Sequence, residues 1–267
     1  MMRLLISSDI EGTAGIATWG ETEKKDQEYA YFRRQMTKEV SAACRGAMES
    51  GKEVEILVKD AHDSACNLIP EALPEEVKLL RGWEGAPGSM MAGIRENIDA
   101  VAMTGYHSAA YTDGNPLAHT MNTQNQYVRI NGKPASEFMI NAYTAAYYGA
   151  SILFVSGDRA LCESAKEICP NIETAAVEEV YGGAVIAMHP MKAQELIYEG
   201  MQRAMQKDLQ ETKIALPEHF TVEIEFKEYT KAYKGSFYPG AKRVGTKGIV
   251  FEHDDYYEVL RFLFFTL

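Results

Sequence analysis

The sequence predicts an α/β protein, a largely parallel sheet with helices on both faces, plus a smaller C-terminal α+β lobe. Three observations carry this. Short apolar runs alternate with helix-periodic segments from the N-terminus to the helix that opens at Pro190. The apolar runs end in polar residues or glycine, as strands leaving a core do. From Phe220 the character changes, and Thr221 to Phe226 alternates apolar and charged residues in the manner of a half-exposed strand.

Taken in order, Arg3-Leu4-Leu5-Ile6 is the first strand and runs out through Ser7-Ser8-Asp9-Ile10-Glu11-Gly12. Tyr29, Phe32, Met36, Val40, Ala43 and Ala47 recur at helical spacing, with Gly51 as the C-cap. Val54 to Val58 is a second strand, ending in Lys59-Asp60-Ala61-His62. Beyond an irregular stretch come a short strand at Val77 to Leu80, a helix from Ser89 to Asn97 and a strand from Ala100 to Thr104 that leads into Gly105-Tyr106-His107. Tyr127 to Ile130 with Asn131-Gly132 reads as a tight hairpin. Ser136 caps a helix from Glu137 to Tyr148, closed by Gly149. A strand at Ile152 to Val155, a helix to Ile168, a strand at Thr174 to Val177 and a helix from Pro190 to Leu209 follow. Tyr233 to Gly248 is rich in glycine, lysine and tyrosine, and Asp254 to Phe265 reads as a last helix. The expected division is residues 1–212 as the main α/β domain and 213–267 as a smaller lobe suited to subunit contacts.

Composition narrows the function classes. With 267 residues and 46% apolar content the chain can bury a full core. A formal net charge of -11 argues against a nucleic-acid partner. No apolar run approaches the roughly 18 residues of a membrane span, and the N-terminal run is too short for a signal-peptide core, so a cytoplasmic location is expected. Cys44, Cys66, Cys162 and Cys169 form no CxxC pair, which points to reduced thiols and away from a thiolate zinc site.

Chemistry-bearing residues gather at strand ends. Asp9 and Glu11 share one side of an extended chain, and like charges held so close need a proton or a cation between them. Asp60 with His62, and then His107, occupy the next two strand ends, where parallel sheets collect ligands. Imidazoles mixed with carboxylates suit zinc or a similar divalent ion, and the set exceeds what one tetrahedral ion uses, which suggests two metals sharing a carboxylate. Asp9-Ile10-Glu11-Gly12-Thr13 also resembles the DxDGT motif of haloacid dehalogenase-type phosphatases, with Asp9 as nucleophile and magnesium as the ion. Glutamate in its second acidic position departs from that motif. A non-catalytic metal-binding module of an oligomer is a third reading. Trp19 and Trp83 can line a pocket or pack in a core, and His189, His219 and His253 have no partner by spacing.

The fragments SSDIEGTAG (7–15), VKDAH (58–62), TGYHS (104–108), AHTMN (118–122), INGKPASE (130–137) and GDRA (157–160) occur together and in order. In this combination the chain resembles the DppA-type D-aminopeptidases, the zinc metallopeptidases of family M55. The resemblance implies two Zn2+ ions per subunit, bridged by Asp9. Glu11 and His62 would complete one ion and His107 and Glu137 the other, with His119 as the catalytic histidine. It implies hydrolysis of short peptides with an N-terminal D-residue, such as D-Ala-D-Ala, by a metal-bridging hydroxide, and a homo-oligomeric ring, possibly a decamer. Residues alone do not single out Glu137, since a glutamate in the first turn of a helix has a natural capping role. Asp60 is expected to orient His62 or its loop. Ser136 stands where the family pattern has glycine, and the C-terminal lobe matches least.

Overall fold

The first predicted strand, β1 (Met2–Ser8), lies inside a seven-stranded sheet in the computed structural model, which describes residues 1–267. In chain order it is followed by α1 (Tyr29–Met48), β2 (Val54–Asp60), β3 (Lys78–Leu80) and β4 (Ala100–Tyr106). A hairpin, β5 (Asn125–Ile130) and β6 (Lys133–Pro134), precedes α2 (Glu137–Tyr147). Then come β7 (Ser151–Asp158), α3 (Arg159–Ile168), β8 (Glu173–Tyr181), β9 (Ala184–Ala187) and α4 (Pro190–Gln206). The chain closes with β10 (Phe220–Phe226), α5 (Tyr229–Gly235), β11 (Lys242–Val244), β12 (Gly248–His253) and α6 (Tyr256–Thr266).

The large sheet has the order β3-β2-β1-β4-β7-β8-β9, parallel throughout except for β9 against β8. Alternation along β1 explains its two covered faces. Leu4 and Ile6 pack with residues of α1 and α4 on one side, and Leu5 packs with residues of α2 and α3 on the other. The second sheet is antiparallel, β11-β12-β10-β5-β6, and draws two strands from the middle of the chain. Its inner face packs on α6 and on Met139 and Ile140 of α2, while Phe138 and Ala142 of α2 belong to the first core. Helix α2 therefore joins the two layers and is held from both sides.

Several elements differ from their expected form. No helix spans Ser89 to Asn97, because Ser89 and Asn97 have left-handed backbone and only one 3-10 turn, Ser89–Met91, survives. The turn is pinned instead by Ser7, whose hydroxyl donates to the Met90 carbonyl at 2.8 Å. The strand expected at Thr174 to Val177 is longer and folds back as β9, a hairpin that the sequence did not suggest. The helix from Pro190 stops at Gln206, and a separate 3-10 turn covers Leu209–Thr212. The glycine- and lysine-rich stretch after Phe226 forms α5, β11 and the start of β12. No helix is long and apolar enough to cross a membrane.

Candidate metal centre

Chain order in the large sheet reverses at β1 and β4, which leaves a crevice beyond their carboxyl ends. The strands are in register there, with Ser8 opposite both Asp60 of β2 and Thr104 of β4. Asp9, His62 and His107 each follow one of these ends and meet in the crevice. Helix α2 delivers Glu137 in its first turn, where the Ser136 hydroxyl caps the helix by accepting from the Met139 amide. His119 arrives on the loop between β4 and β5. Asp9, Glu11, His107 and Glu137 are all at most 3% exposed, and His62 is 7% exposed.

Two groups of ligand-type atoms form, Asp9 with Glu11 and His62, and His107 with His119 and Glu137. His62 Nδ1 lies 3.3 Å from Asp9 Oδ1 and 3.2 Å from Glu11 Oε2. His107 Nε2 lies 3.6 Å from Asp9 Oδ2 and 3.6 Å from Glu137 Oε2. Asp9 thus faces a histidine with each oxygen and links the two groups. His119 Nε2 is 3.6 Å from Glu137 Oε1.

Each imidazole is also oriented by a backbone carbonyl. Thr22 O lies 2.9 Å from His62 Nε2, Ser108 O 2.9 Å from His107 Nδ1, and Leu117 O 2.8 Å from His119 Nδ1. A carbonyl only accepts, so these nitrogens carry the hydrogen. In the neutral ring the opposite nitrogen then presents a lone pair toward carboxylate oxygens. Three lone pairs aimed at three buried carboxylates repel unless positive charge lies between them. Protons can supply it: burial lowers the affinity of His62 for a proton, but Glu11 and Asp9 outweigh this and hold it well above the ordinary 6.5. For His107 burial likewise opposes protonation, and Glu137 with Glu11 and Asp9 raises it to about 10. Asp9 is pushed well above the carboxylate range by burial and by Glu11. A bound cation meets the same demand. Glu11 Oε2 and His107 Nε2 are buried without a hydrogen-bond partner, a cost that a bound cation would remove. This donor set fits zinc.

Supporting residues fix the candidate ligands. Asp60 accepts from the amides of Asn67 and Leu68 and from Asn67 Nδ2, and the same Nδ2 donates to the His62 carbonyl at 2.6 Å. Its link to His62 therefore runs through Asn67. Trp19 meets the His119 ring edge-on at 5.2 Å. Trp83 lines a cavity of about 320 Å³ over the cluster together with Asp63, Glu84, Met121 and Phe264. Sequence reasoning assigned none of these four to the site, although Asp63 directly follows His62 and Met121 lies in the 118–122 fragment; Glu84 and Phe264 lie far from the strand ends in sequence. His189, His219 and His253 lie elsewhere; His189 caps α4 and His219 pairs with Asp254. The four cysteines are free thiols.

A family model described as D-aminopeptidase, peptidase M55, matches residues 2–265. The D-aminopeptidase of Bacillus subtilis (strain 168) is 32% identical over 259 residues, 96% of this chain and 93% of that protein. The solved structure of the Zn-dependent D-aminopeptidase DppA from Bacillus subtilis, described as a self-compartmentalizing protease, superposes with a TM-score of 0.90 at 30% identity. That superposition covers 99% of this chain and 96% of the other.

Proposed function

The chain belongs to peptidase family M55, the D-aminopeptidases, and from this we propose that it is a dinuclear zinc aminopeptidase acting on short peptides with an N-terminal D-residue, D-Ala-D-Ala among them. Asp9 would bridge the two ions, Glu11 and His62 would hold one, and His107 and Glu137 the other. The single observation that carries the reading is the set of three carbonyl-oriented imidazoles whose free nitrogens face Asp9, Glu11 and Glu137. Zinc in such a site supplies Lewis-acid activation of water and of the scissile carbonyl.

His119 is the candidate proton carrier. Burial and the neighbouring His107 hold it below its ordinary value, which leaves an Nε2 lone pair able to accept a proton. The Leu117 carbonyl and the Trp19 edge orient the ring toward the cavity that Glu137 and Asp9 also line. The phosphatase reading of Asp9-Ile10-Glu11-Gly12-Thr13 leaves the histidines around Asp9 without a role. A homo-oligomer, in keeping with the self-compartmentalizing relative, gives a use to the exposed Tyr181, Ile186, Met188 and Met191.

The deciding experiment is release of free alanine from D-Ala-D-Ala and from L-Ala-L-Ala, each with zinc and with chelator. Chelator-sensitive release from the D-peptide is expected. Release from the L-peptide alone would keep the metal chemistry and overturn the handedness. Release from neither would overturn the activity.

A further inference from the structure

Trp83 stands in the wall of the cavity that Asp9, His62, His119 and Glu137 also line. It is 44% exposed, and two hydrogen bonds dock its segment on the loop that carries His62. The indole Nε1 donates to the Asp63 carbonyl at 2.7 Å, and the Gly82 amide donates to the Ala65 carbonyl at 2.7 Å. Both acceptors belong to non-glycine residues with left-handed backbone, φ of 41° at Asp63 and 52° at Ala65. Such conformations persist where surrounding structure enforces them, and they cluster at ligand clamps. The wall and the His62 loop are thus one unit.

The third anchor is a buried ammonium. Lys59, near the end of β2, is fully buried, and its Nζ lies 4.4 Å from the centroid of the Trp83 ring. The same Nζ donates to the carbonyls of Asp60 at 2.6 Å and Gly82 at 2.8 Å. An ammonium has three hydrogens, so two carbonyls and one aromatic face account for all of them. A buried cation without a carboxylate partner is costly, and cation–π attraction strengthens where water is excluded. That attraction holds the indole by one face. Its exposure therefore belongs to the opposite face and the ring edge.

Met90, Met121 and Phe264 line the same cavity. Of its charged residues outside the histidine–carboxylate cluster, Glu84 is paired with Arg95 at 3.2 Å, and Asp63 has no cation partner. Apolar walls around a few convergent polar groups are the usual form of a small-molecule site. A peptide with its scissile bond at the cluster occupies the space that Trp83 bounds.

We propose that Trp83 is a specificity-determining residue. Its uncovered face receives an apolar side chain, aromatic above all, from one of the two residues that flank the scissile bond. Lys59 is the positioning residue that holds the ring from behind. This rests on the aminopeptidase reading and adds the side-chain class that the enzyme selects, of which D-Ala-D-Ala is a small member.

The test measures kcat and KM for Ala-Ala, Phe-Ala, Ala-Phe, Lys-Ala and Ala-Lys dipeptides of the hydrolysed handedness, on the full chain loaded with zinc. One phenylalanine peptide is expected to exceed Ala-Ala in kcat/KM by about tenfold. Trp83→Ala should remove that advantage chiefly through KM, with Ala-Ala changed by less than about threefold and zinc per chain unchanged, and Trp83→Phe should keep most of it. Lys59→Met takes the ammonium from behind the ring and should give the same split between KM and kcat, while Lys59→Arg, which keeps the charge, should preserve the advantage. An equal fall in kcat on every peptide in Lys59→Met would overturn the positioning role. The two Trp83 variants, at a half-exposed position, decide the specificity role even where Lys59→Met does not fold. Equal loss on all peptides in Trp83→Ala, an advantage that survives it, or a preference for the lysine peptides, as Asp63 alone would give, overturns the proposal. If no dipeptide is hydrolysed, the aminopeptidase reading has failed, and titration calorimetry with the same peptides decides the wall on its own. Tighter binding of a phenylalanine peptide that Trp83→Ala abolishes supports it, and equal binding refutes it.

Discussion

His107 and His119 stack with ring centroids 4.3 Å apart and planes 12° from parallel, and each presents Nε2 to a different oxygen of Glu137 at 3.6 Å. The rings differ in surroundings. Glu137, Glu11 and Asp9 draw positive charge to His107, whereas burial and positive charge at His107 hold His119 below its ordinary value. One ring is suited to binding a cation and the other to handling a proton. His119→Ala is therefore expected to lower kcat by about a thousandfold, the usual range for a lost acid–base group, while bound zinc per chain stays as in the parent protein. Metal analysis beside steady-state kinetics decides the matter. Loss of one zinc would make His119 a ligand, and undiminished turnover would remove it from the mechanism.

Asp60 tests how far the proposed metal ligands depend on a residue that never touches them. Its carboxylate accepts from two amides and one side-chain amide of Asn67 and Leu68, and the Tyr29 hydroxyl donates to Asn67 Oδ1 at 2.7 Å from the other side. Asp60→Asn puts an NH2 group against one of these donors inside a buried loop. Zinc affinity is expected to fall about 10- to 100-fold, as with other lost supports of ligand histidines. Competition with a calibrated chelator measures it. Unaltered affinity would mean that the His62 loop holds its own geometry.

The strand ends were legible in the sequence because the relevant forces are local. Apolar runs buried on both faces stop abruptly, and Asp9, Glu11, His62 and His107 lie within three residues of such a stop. Glu137 and His119 were named only through family resemblance, because their positions depend on how α2 and the loop after β4 pack across the sheet edge. The hairpin of β8 and β9 and the joining of β5 to β10 are long-range or glycine-dependent pairings. Period alone does not announce them. Met121 and Phe264 meet at the cavity from positions 143 residues apart, so no window of sequence relates them.

Gly105 shows what the register between β1 and β4 demands of the backbone. It has φ of 68°, and a Cβ there would lie 2.3 Å from the Asp9 carbonyl oxygen. Gly105→Ala must push the Asp9 turn away or change its own backbone, at a cost of about 3 kcal/mol. Gly149, with φ of 79° and nothing within 4 Å of a built Cβ, is the control, and its alanine variant should cost only about 1 kcal/mol. Urea unfolding compares them. Equal costs would show that backbone conformation alone, and not the contact with Asp9, makes glycine necessary at Gly105.

Glu39 places a carboxyl group beneath the loop that follows Glu11, and it sets a pH dependence of its own. The side chain is 2% exposed, its Oε1 accepts from the Ala14 amide at 3.1 Å, and its Oε2 has no partner. Burial raises its pKa from 4.5 to about 8, more than the Ala14 amide lowers it. In the unfolded chain it ionises near 4.5, so between that value and 8 the folded state holds a proton that the unfolded state has lost. This contribution to stability is complete below the unfolded value and is lost as pH rises through the folded one. Glu39→Gln keeps the shape and cannot ionise. Its buried NH2 group adds a cost that does not vary with pH, so the informative quantity is the difference between wild type and variant at each pH. That difference should shift by about 2–4 kcal/mol in favour of the variant between pH 5 and pH 8. Contributions of the histidine–carboxylate cluster are common to both proteins and cancel. Unfolding curves taken at fixed zinc across this range provide the measurement. Parallel curves would show that Glu39 is already ionised in the folded protein, with its charge carried by the Ala14 amide.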